Sequence, residues 1–410
     1  MRRVLRGLGT VACSLGTSCV LLSLLGVLTW LGTLEQTRSG LYDVQKKYFE
    51  SFVLLHDFGP FSLPLPGANL VMCLLFVNLV AGGMVRLRKD ASTVGILIAH
   101  VGIALLFVAA LVKHRFSEDG HVTLYEGQRA AHFESWFRWE LAVIEDVGGG
   151  RVREHVVPSR DFERASDGVV RATSKDLPFA IEIERTWRNC RPQRVTSGPD
   201  DWTSEGVTLV DVPPATQAEA NIAGACVAFV DDANGMRRRV LTWGAESKPC
   251  VVTAAGRAWA VELRKERYPM PFAITLERFE KEDHPRSDMP KSFASDVSVS
   301  AVDDGAPNAT NTSEGPNSTV AASTSVAAGT KRDVRISMNQ PLRDGGLVLY
   351  QASWGPASAR PGDRLFSTFA VVRNPADQWP LIACIVIALG LVLHFSRKLY
   401  RYVRAEARTT

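Results

Sequence analysis

Histidine and cysteine carry much of the chemistry a chain can do unaided, and their spacing here removes several chemistries at once. The 410 residues include seven cysteines and eight histidines. No C-x-x-C or C-x-x-C-H occurs, so the chain holds neither a thioredoxin-like dithiol nor a covalent c-type haem site of its own. An H-E-x-x-H zinc helix, a G-x-S-x-G elbow, a P-loop and a strand-led dinucleotide fingerprint are also missing, and no catalytic residue emerges. Two histidines stand out instead, because His100 and His394 lie in otherwise apolar runs. An ionisable group in hydrocarbon is costly and by default marks a pathway, a cofactor or a partner contact. The plainer alternatives are a neutral imidazole bonded between helices for His100 and snorkelling to the interface for His394. Imidazole is also an axial ligand of haem iron, so His100 is a candidate for one side of a two-ligand site, with His394 a secondary candidate.

Four segments position these residues. Residues 11–34, 68–85, 93–112 and 379–395 carry almost no charge, and each approaches the ~20 residues that cross a bilayer. The first follows Arg2, Arg3 and Arg6, as a signal peptide would. Its apolar run is longer than a signal core and no A-x-A-like site follows, so a retained helix is expected. His100 then sits ~10 Å of helix rise from the inner end of the third span. Asn78 is expected to bridge helices through its amide, and Gly95, Ala99 and Gly102 to form a small-residue surface for a neighbouring helix.

The formal charge of +4 and pI near 8.7 come from topology, not from a nucleic-acid footprint. The short flanks 1–10, 86–92 and 396–410 carry eleven Lys or Arg against Asp90 and Glu406, whereas 113–378 holds 33 basic and 37 acidic residues. Excess Lys and Arg beside spans mark the cytoplasmic side. Both termini and the basic turn are then cytoplasmic, and the long block is extracytoplasmic. Trp30 and Trp379 fall at the expected outer interface, Tyr400 and Tyr402 at the inner one.

The expected fold is an integral membrane protein: four transmembrane α-helices plus a large extracytoplasmic β-rich domain between helices three and four. The divisions are 1–34 (head and first span), 35–67 (outer loop), 68–112 (second and third spans), 113–378 (outer domain), 379–395 (fourth span) and 396–410 (basic tail). Within the outer domain, Phe179-Ala-Ile-Glu-Ile-Glu184 alternates as a half-buried strand should. Similar runs occur at 206–212, 225–230, 258–264, 272–279, 334–338, 347–351 and 367–372, and Asp344-Gly-Gly346 reads as a hairpin turn. A sandwich-like or open-barrel domain is the default. Residues 303–331 are Ser-, Thr-, Asn-, Ala- and Gly-rich and read as a flexible insertion, with sequons at Asn308, Asn311 and Asn317. Cys190, Cys226 and Cys250 allow at most one outer disulfide, whose pairing is not readable; Cys13, Cys19, Cys73 and Cys384 read as packing residues.

Several of these segments resemble the ResB/CcsB family. Trp30-Leu-Gly-Thr-Leu-Glu-Gln36 and Gly40-Leu-Tyr-Asp-Val-Gln-Lys-Lys-Tyr-Phe49 are similar to its first loop. Leu63-Pro-Leu-Pro-Gly67 with Leu74-Leu-Phe-Val-Asn78 resembles its second span, and Gly95-Ile-Leu-Ile-Ala-His100-Val-Gly102 its third. Phe279–Ser295, Met338–Leu342 and Tyr350-Gln-Ala-Ser-Trp354 resemble its late β segments, whereas 187–250 resembles nothing named and 303–331 interrupts the pattern. The resemblance implies a non-catalytic subunit of System II cytochrome c maturation in the cell membrane. It implies a multi-span CcsA/ResC-type partner bearing a tryptophan-rich loop that is missing here, apocytochrome c as client, and a thiol-reducing protein nearby. It also implies transient haem b, shared with the partner, and places His100 at the position of a family histidine tied to transmembrane haem. Edge-strand pairing by the outer domain is one way to hold an extended apocytochrome. The contrasting expectation is a membrane-anchored extracytoplasmic scaffold or ligand-binding protein without haem.

Overall fold

The structure, a computed structural model, describes residues 13–148, 151–166, 168–174, 176–195, 203–204, 206–231, 235–254, 256–285, 290–302, 331–356 and 363–408. The head 1–10 and all of the expected insertion except Lys331, with its three sequons, lie outside them. The chain divides into a helical unit (residues up to 117, 216–218 and from 374) and a β unit (118–215 and 219–373).

Four helices are long and apolar enough to cross a membrane: α1 (Leu15–Ser39), α2 (Ala68–Val85), α3 (Val94–Phe116) and α4 (Trp379–Glu406). The chain is a multi-pass membrane protein on this evidence. Ser14 caps α1 by accepting a bond from the Gly16 N–H at 3.2 Å, and Gly40, at φ +78°, ends it. Leu21, Leu28 and Leu31 of α1 bury against Val71 and Leu75 of α2. The second half of α2, Leu79–Val85, widens to π-helical turns.

The small-residue surface of α3 receives α4. A Cβ added at Gly95 would lie 2.6 Å from the Gly390 carbonyl oxygen, and one at Gly102 would lie 2.9 Å from that of Ala383. Glycine at these sites lets two backbones approach where any side chain would hold them apart. Asn78 bridges helices as expected: it accepts from Ser18 Oγ at 2.5 Å and donates to the Ser14 carbonyl at 3.1 Å. Between α1 and α2 the chain makes a short helix, Leu41–Phe49 with its π turn, and a hairpin of β1 (Val53–Asp57) and β2 (Ser62–Pro66).

The β unit is built on one ten-stranded antiparallel sheet. Its main path runs β15 (Arg332–Ser337), β14 (Pro290–Ser300), β13 (Arg257–Asp283), β4 (Arg129–Gly148), β3 (Glu118–Tyr125), β18 (Phe366–Arg373), β17 (Leu347–Gly355), β16 (Leu342–Asp344). β5 (Arg151–Val157) adds to β4 and β12 (Cys250–Ala254) to β13. The path curls until its two ends share one core: Ile336 of β15 is buried with Phe272, Ile274, Leu349 and Phe369. This is the open-barrel alternative. A four-stranded sheet, β11 (Met236–Trp243), β10 (Gly224–Asp231), β7 (Ala180–Trp187), β6 (Val170–Ala172), packs on the other half in sandwich fashion around Trp259, Phe179 and Val227. The remaining pair is β8 (Cys190–Arg194) with β9 (Val207–Asp211).

Two local expectations need correction. Residues 258–264 and 272–279 are one strand, β13, because a register shift between Pro269 and Ile274 absorbs two prolines that cannot donate to the ladder. The run 179–184 is not half-buried. Glu182 and Glu184, each 9% exposed, are covered by guanidinium groups, with Arg171 at 3.1 Å from Glu182 and Arg239 at 2.7 Å from Glu184. The Asp344-Gly-Gly346 turn is found as expected: Asp344 pairs with Leu347 across Gly345 and Gly346, whose φ values are +53° and +76°.

Candidate functional site

His100 is seven residues into α3, and its ring is ordered by its own helix. Nδ1 lies 2.7 Å from the Ile96 carbonyl oxygen one turn earlier. A carbonyl only accepts, so Nδ1 carries the proton and donates, which leaves the Nε2 lone pair without a partner. That nitrogen belongs to a cavity of about 400 Å³, lined by Ser18 of α1, Asn78, Gly82 and Gly83 of α2, and Phe107 of α3. Gly83 makes the space: a Cβ there would lie 2.8 Å from Nε2. Glycine sits in the π-helical stretch of α2 where any side chain would cover the imidazole. π turns of this kind recur at functional positions. Apart from His100, the polar lining is the Ser18–Asn78 bond with Ser14 and Cys13, and the remaining lining residues are apolar.

The arrangement offers one nitrogen ligand in a mostly apolar pocket. The imidazole presents its Nε2 lone pair beside Gly83, in the tautomer that can take an axial position on haem iron. A bare cation would need more donors, and the described residues contain no group of three His, Cys, Asp or Glu that could hold one.

His394 goes elsewhere. Its backbone N lies 2.7 Å, and its own Cβ 2.9 Å, from where a Cβ on Gly95 would sit, so the residue packs on the α3–α4 seam. Its Nδ1 is buried without a hydrogen-bond partner. At ~100° per residue, His100 projects roughly 100–160° round α3 from the Gly95, Ala99 and Gly102 face. The two histidines are therefore not brought onto one ligand within this chain.

In the β unit the motif segments of the late strands meet in space. Phe279 of β13 stacks on Trp354 of β17, with centroids 5.8 Å apart and planes at 20°, and the Lys281 ammonium lies 4.6 Å from the same indole. Ser295 of β14 donates to Gln351 Oε1 at 2.7 Å and lies 2.9 Å from Ser367 Oγ, which accepts from Gln351 Nε2 at 2.7 Å. These residues close the curled sheet, so their work is architectural. Residues 250–362 match the ResB-like family. That stretch runs from β12 through β17 and includes the segments Phe279–Ser295, Met338–Leu342 and Tyr350–Trp354; the helices and His100 lie outside it. No curated protein matches the chain.

Elsewhere the ionisable groups serve structure. None of the seven cysteines is joined in a disulfide. Burial pushes the thiols of Cys190 and Cys226 up to about 12, which keeps them protonated and unreactive. Arg264, 5% exposed, ties β13 to β4 and β5 through Glu140 at 2.9 Å and Glu154 at 2.5 Å. One ordered imidazole escaped the sequence reading altogether. His56 of β1 is joined to Tyr48 and Glu35, and no motif spacing announces a cluster assembled by a hairpin folding back on a helix end.

Proposed function

We propose that this chain is a ResB/CcsB-type subunit of a cytochrome c maturation complex, and that α1, α2 and α3 hold haem b in transit through His100. The single observation that carries the reading is the His100 site: an intramembrane imidazole with its proton committed to Ile96 and its lone pair kept open by Gly83. The ResB-like match in the β unit supplies the biological context. The basic flanks orient the chain with both termini and the His100 end of α3 at the cytoplasmic face and the β unit outside.

Haem supplies an iron that takes axial imidazole and a ring that tolerates hydrocarbon. Here His100 presents the ligating nitrogen, Gly83 and Phe107 bound the slot, and the Ser18–Asn78 bond ties up polar groups of those two residues. The second axial ligand comes from a multi-span CcsA/ResC-type partner, because His394 does not reach this cavity. Thioether attachment to apocytochrome c is the partner complex's chemistry, with a thiol-reducing protein keeping the client cysteines reduced.

The test is the visible spectrum of the protein purified from membranes with its partner, as wild type and as His100→Ala. A six-coordinate, bis-imidazole-type haem spectrum that weakens in the variant is the expected result. Absence of haem from both proteins would make His100 a structural residue.

A further inference from the structure

The outer loop carries a second imidazole held in the same protonation state as His100, by a stronger device. Tyr48 Oη lies 2.5 Å from Glu35 Oε2, and Lys47 Nζ lies 2.6 Å from Glu35 Oε1. The ammonium keeps Glu35 ionised, so the carboxylate only accepts and the phenol donates to it. Tyr48, completely buried, has its acidity suppressed first by burial and then by Glu35, so it keeps that proton. The phenol has one proton, already given to Glu35, yet Tyr48 Oη is also bonded to His56 Nδ1. His56 Nδ1 must therefore be the donor in that bond. The relay runs His56 Nδ1–H to Tyr48 Oη–H to Glu35, and it leaves Nε2 with a free lone pair. An imidazole backed by a carboxylate through its other nitrogen is how proteins orient a metal ligand and raise its basicity.

The surroundings select the ligand. Phe58 meets the imidazole edge-on at 4.5 Å and stacks on Phe61 at 5.5 Å and 25°. Phe58, Phe61 and Leu63, which pairs with His56 across the hairpin, are all exposed, so this face presents an apolar, aromatic rim beside a side chain that is itself 13% exposed. With no group of three cation ligands among the described residues, the site suits a metal that brings four ring nitrogens with it. We infer that His56 is an axial ligand for metalloporphyrin iron at the outer end of α1, distinct from the His100 site. Glu35 lies 17 residues beyond Ser18, so roughly 25 Å of helix rise separates the two. The inference rests on the haem reading above and deepens it: the helical unit carries one iron ligand near each membrane face.

Ferric haemin titrated into the full-length chain in nanodiscs, followed in the Soret and α bands, tests it. Wild type is expected to bind two equivalents with imidazole-type spectra. His100→Ala should keep one and His56→Ala the other. Tyr48→Phe, which keeps the ring but removes the relay, should weaken the His56-dependent equivalent by ~10–100-fold, and added imidazole should restore it in His56→Gly. A single equivalent that disappears with His100→Ala and is untouched by His56→Ala overturns the His56 assignment while the haem reading stands. Full affinity in Tyr48→Phe likewise overturns it, even if His56→Ala misfolds. No haem on wild type removes both.

Discussion

Gly83→Ala separates the packing of the helices from the ligating power of His100. A methyl carbon at that position would lie 2.3 Å from Cδ2 and 2.8 Å from Nε2 of the ring, whereas ordinary contact begins at 3.4 Å. About 1.1 Å of overlap with the ring must be relieved, since compact interiors have little slack. If the ring turns away, it gives up the Nδ1–Ile96 bond, a net loss of about 1 kcal/mol. If it stays, the methyl group caps the lone pair. Either way Nε2 stops being available, and haem affinity should fall by ~10–100-fold, the range seen when a ligand loses its orientation. Stability should change little, because alanine in a helix is better than glycine by about 1 kcal/mol, which offsets the broken bond. The assay is haemin titration in nanodiscs with thermal unfolding of the same samples. Gly26→Ala is the control, since a Cβ at Gly26 meets nothing within 4 Å. Unchanged affinity in Gly83→Ala would refute the idea that this glycine keeps the ligand open, and an equal fall in Gly26→Ala would assign the effect to helix chemistry in general.

Three further outcomes follow from the packing. Arg264→Met leaves Glu140 and Glu154, each 4% exposed, without their counterion. Denaturant unfolding should show a loss of about 3–5 kcal/mol, recovering in part as pH falls and Glu140, whose carboxyl is pushed up by burial, takes up a proton. Asn78→Leu removes the amide bridge between α1 and α2 and should cost about 1 kcal/mol in a detergent-unfolding assay. Lys265, packed over Trp139 at 4.2 Å, is pushed down by burial to about 8 from an ordinary 10.5, with Glu134 and Glu219 opposing the shift. The unfolded chain then binds more protons than the folded one between those values, so wild-type stability should rise with pH across that window. Lys265→Met should lack that component of the rise.

What the residues disclosed in advance depended on how local the signal is. Span positions came through because twenty apolar residues mean the same thing wherever they stand, and Gly95, Ala99 and Gly102 announced a helix contact by spacing alone. The curled sheet was half legible. β4 and β13 were missed as long strands because both faces are buried along Leu141-Ala-Val143 and because prolines 269 and 271 imitate a loop. The Glu182 and Glu184 pair misled for a related reason, since alternation marks opposite faces but not which face the arginines of β11 and β6 will cover. His100 could be singled out because charge in hydrocarbon is rare. Its tautomer, and the glycine that exposes it, required coordinates, as did the relay to His56, whose partners are 8 and 21 residues away in the chain.

The two imidazoles differ in one respect that a potential can read. His100 gives its proton to a neutral peptide carbonyl, whereas His56 gives its proton to a phenol that is itself bonded to a carboxylate paired with Lys47. A proton drawn toward a carboxylate makes the imidazole the stronger donor, and a stronger donor favours ferric over ferrous iron. Haem on His56 should accordingly be reduced at a lower potential than haem on His100. Potentiometric titration of His100→Ala and of His56→Ala, each carrying its one remaining equivalent with imidazole as the common sixth ligand, isolates the two sites. Tyr48→Phe in the His100→Ala background should raise the potential toward that of the His100 site, because it cuts the link to Glu35 and keeps the ring in place. Equal potentials in the two single variants, unmoved by Tyr48→Phe, would show that the relay orients His56 without changing its strength as a ligand.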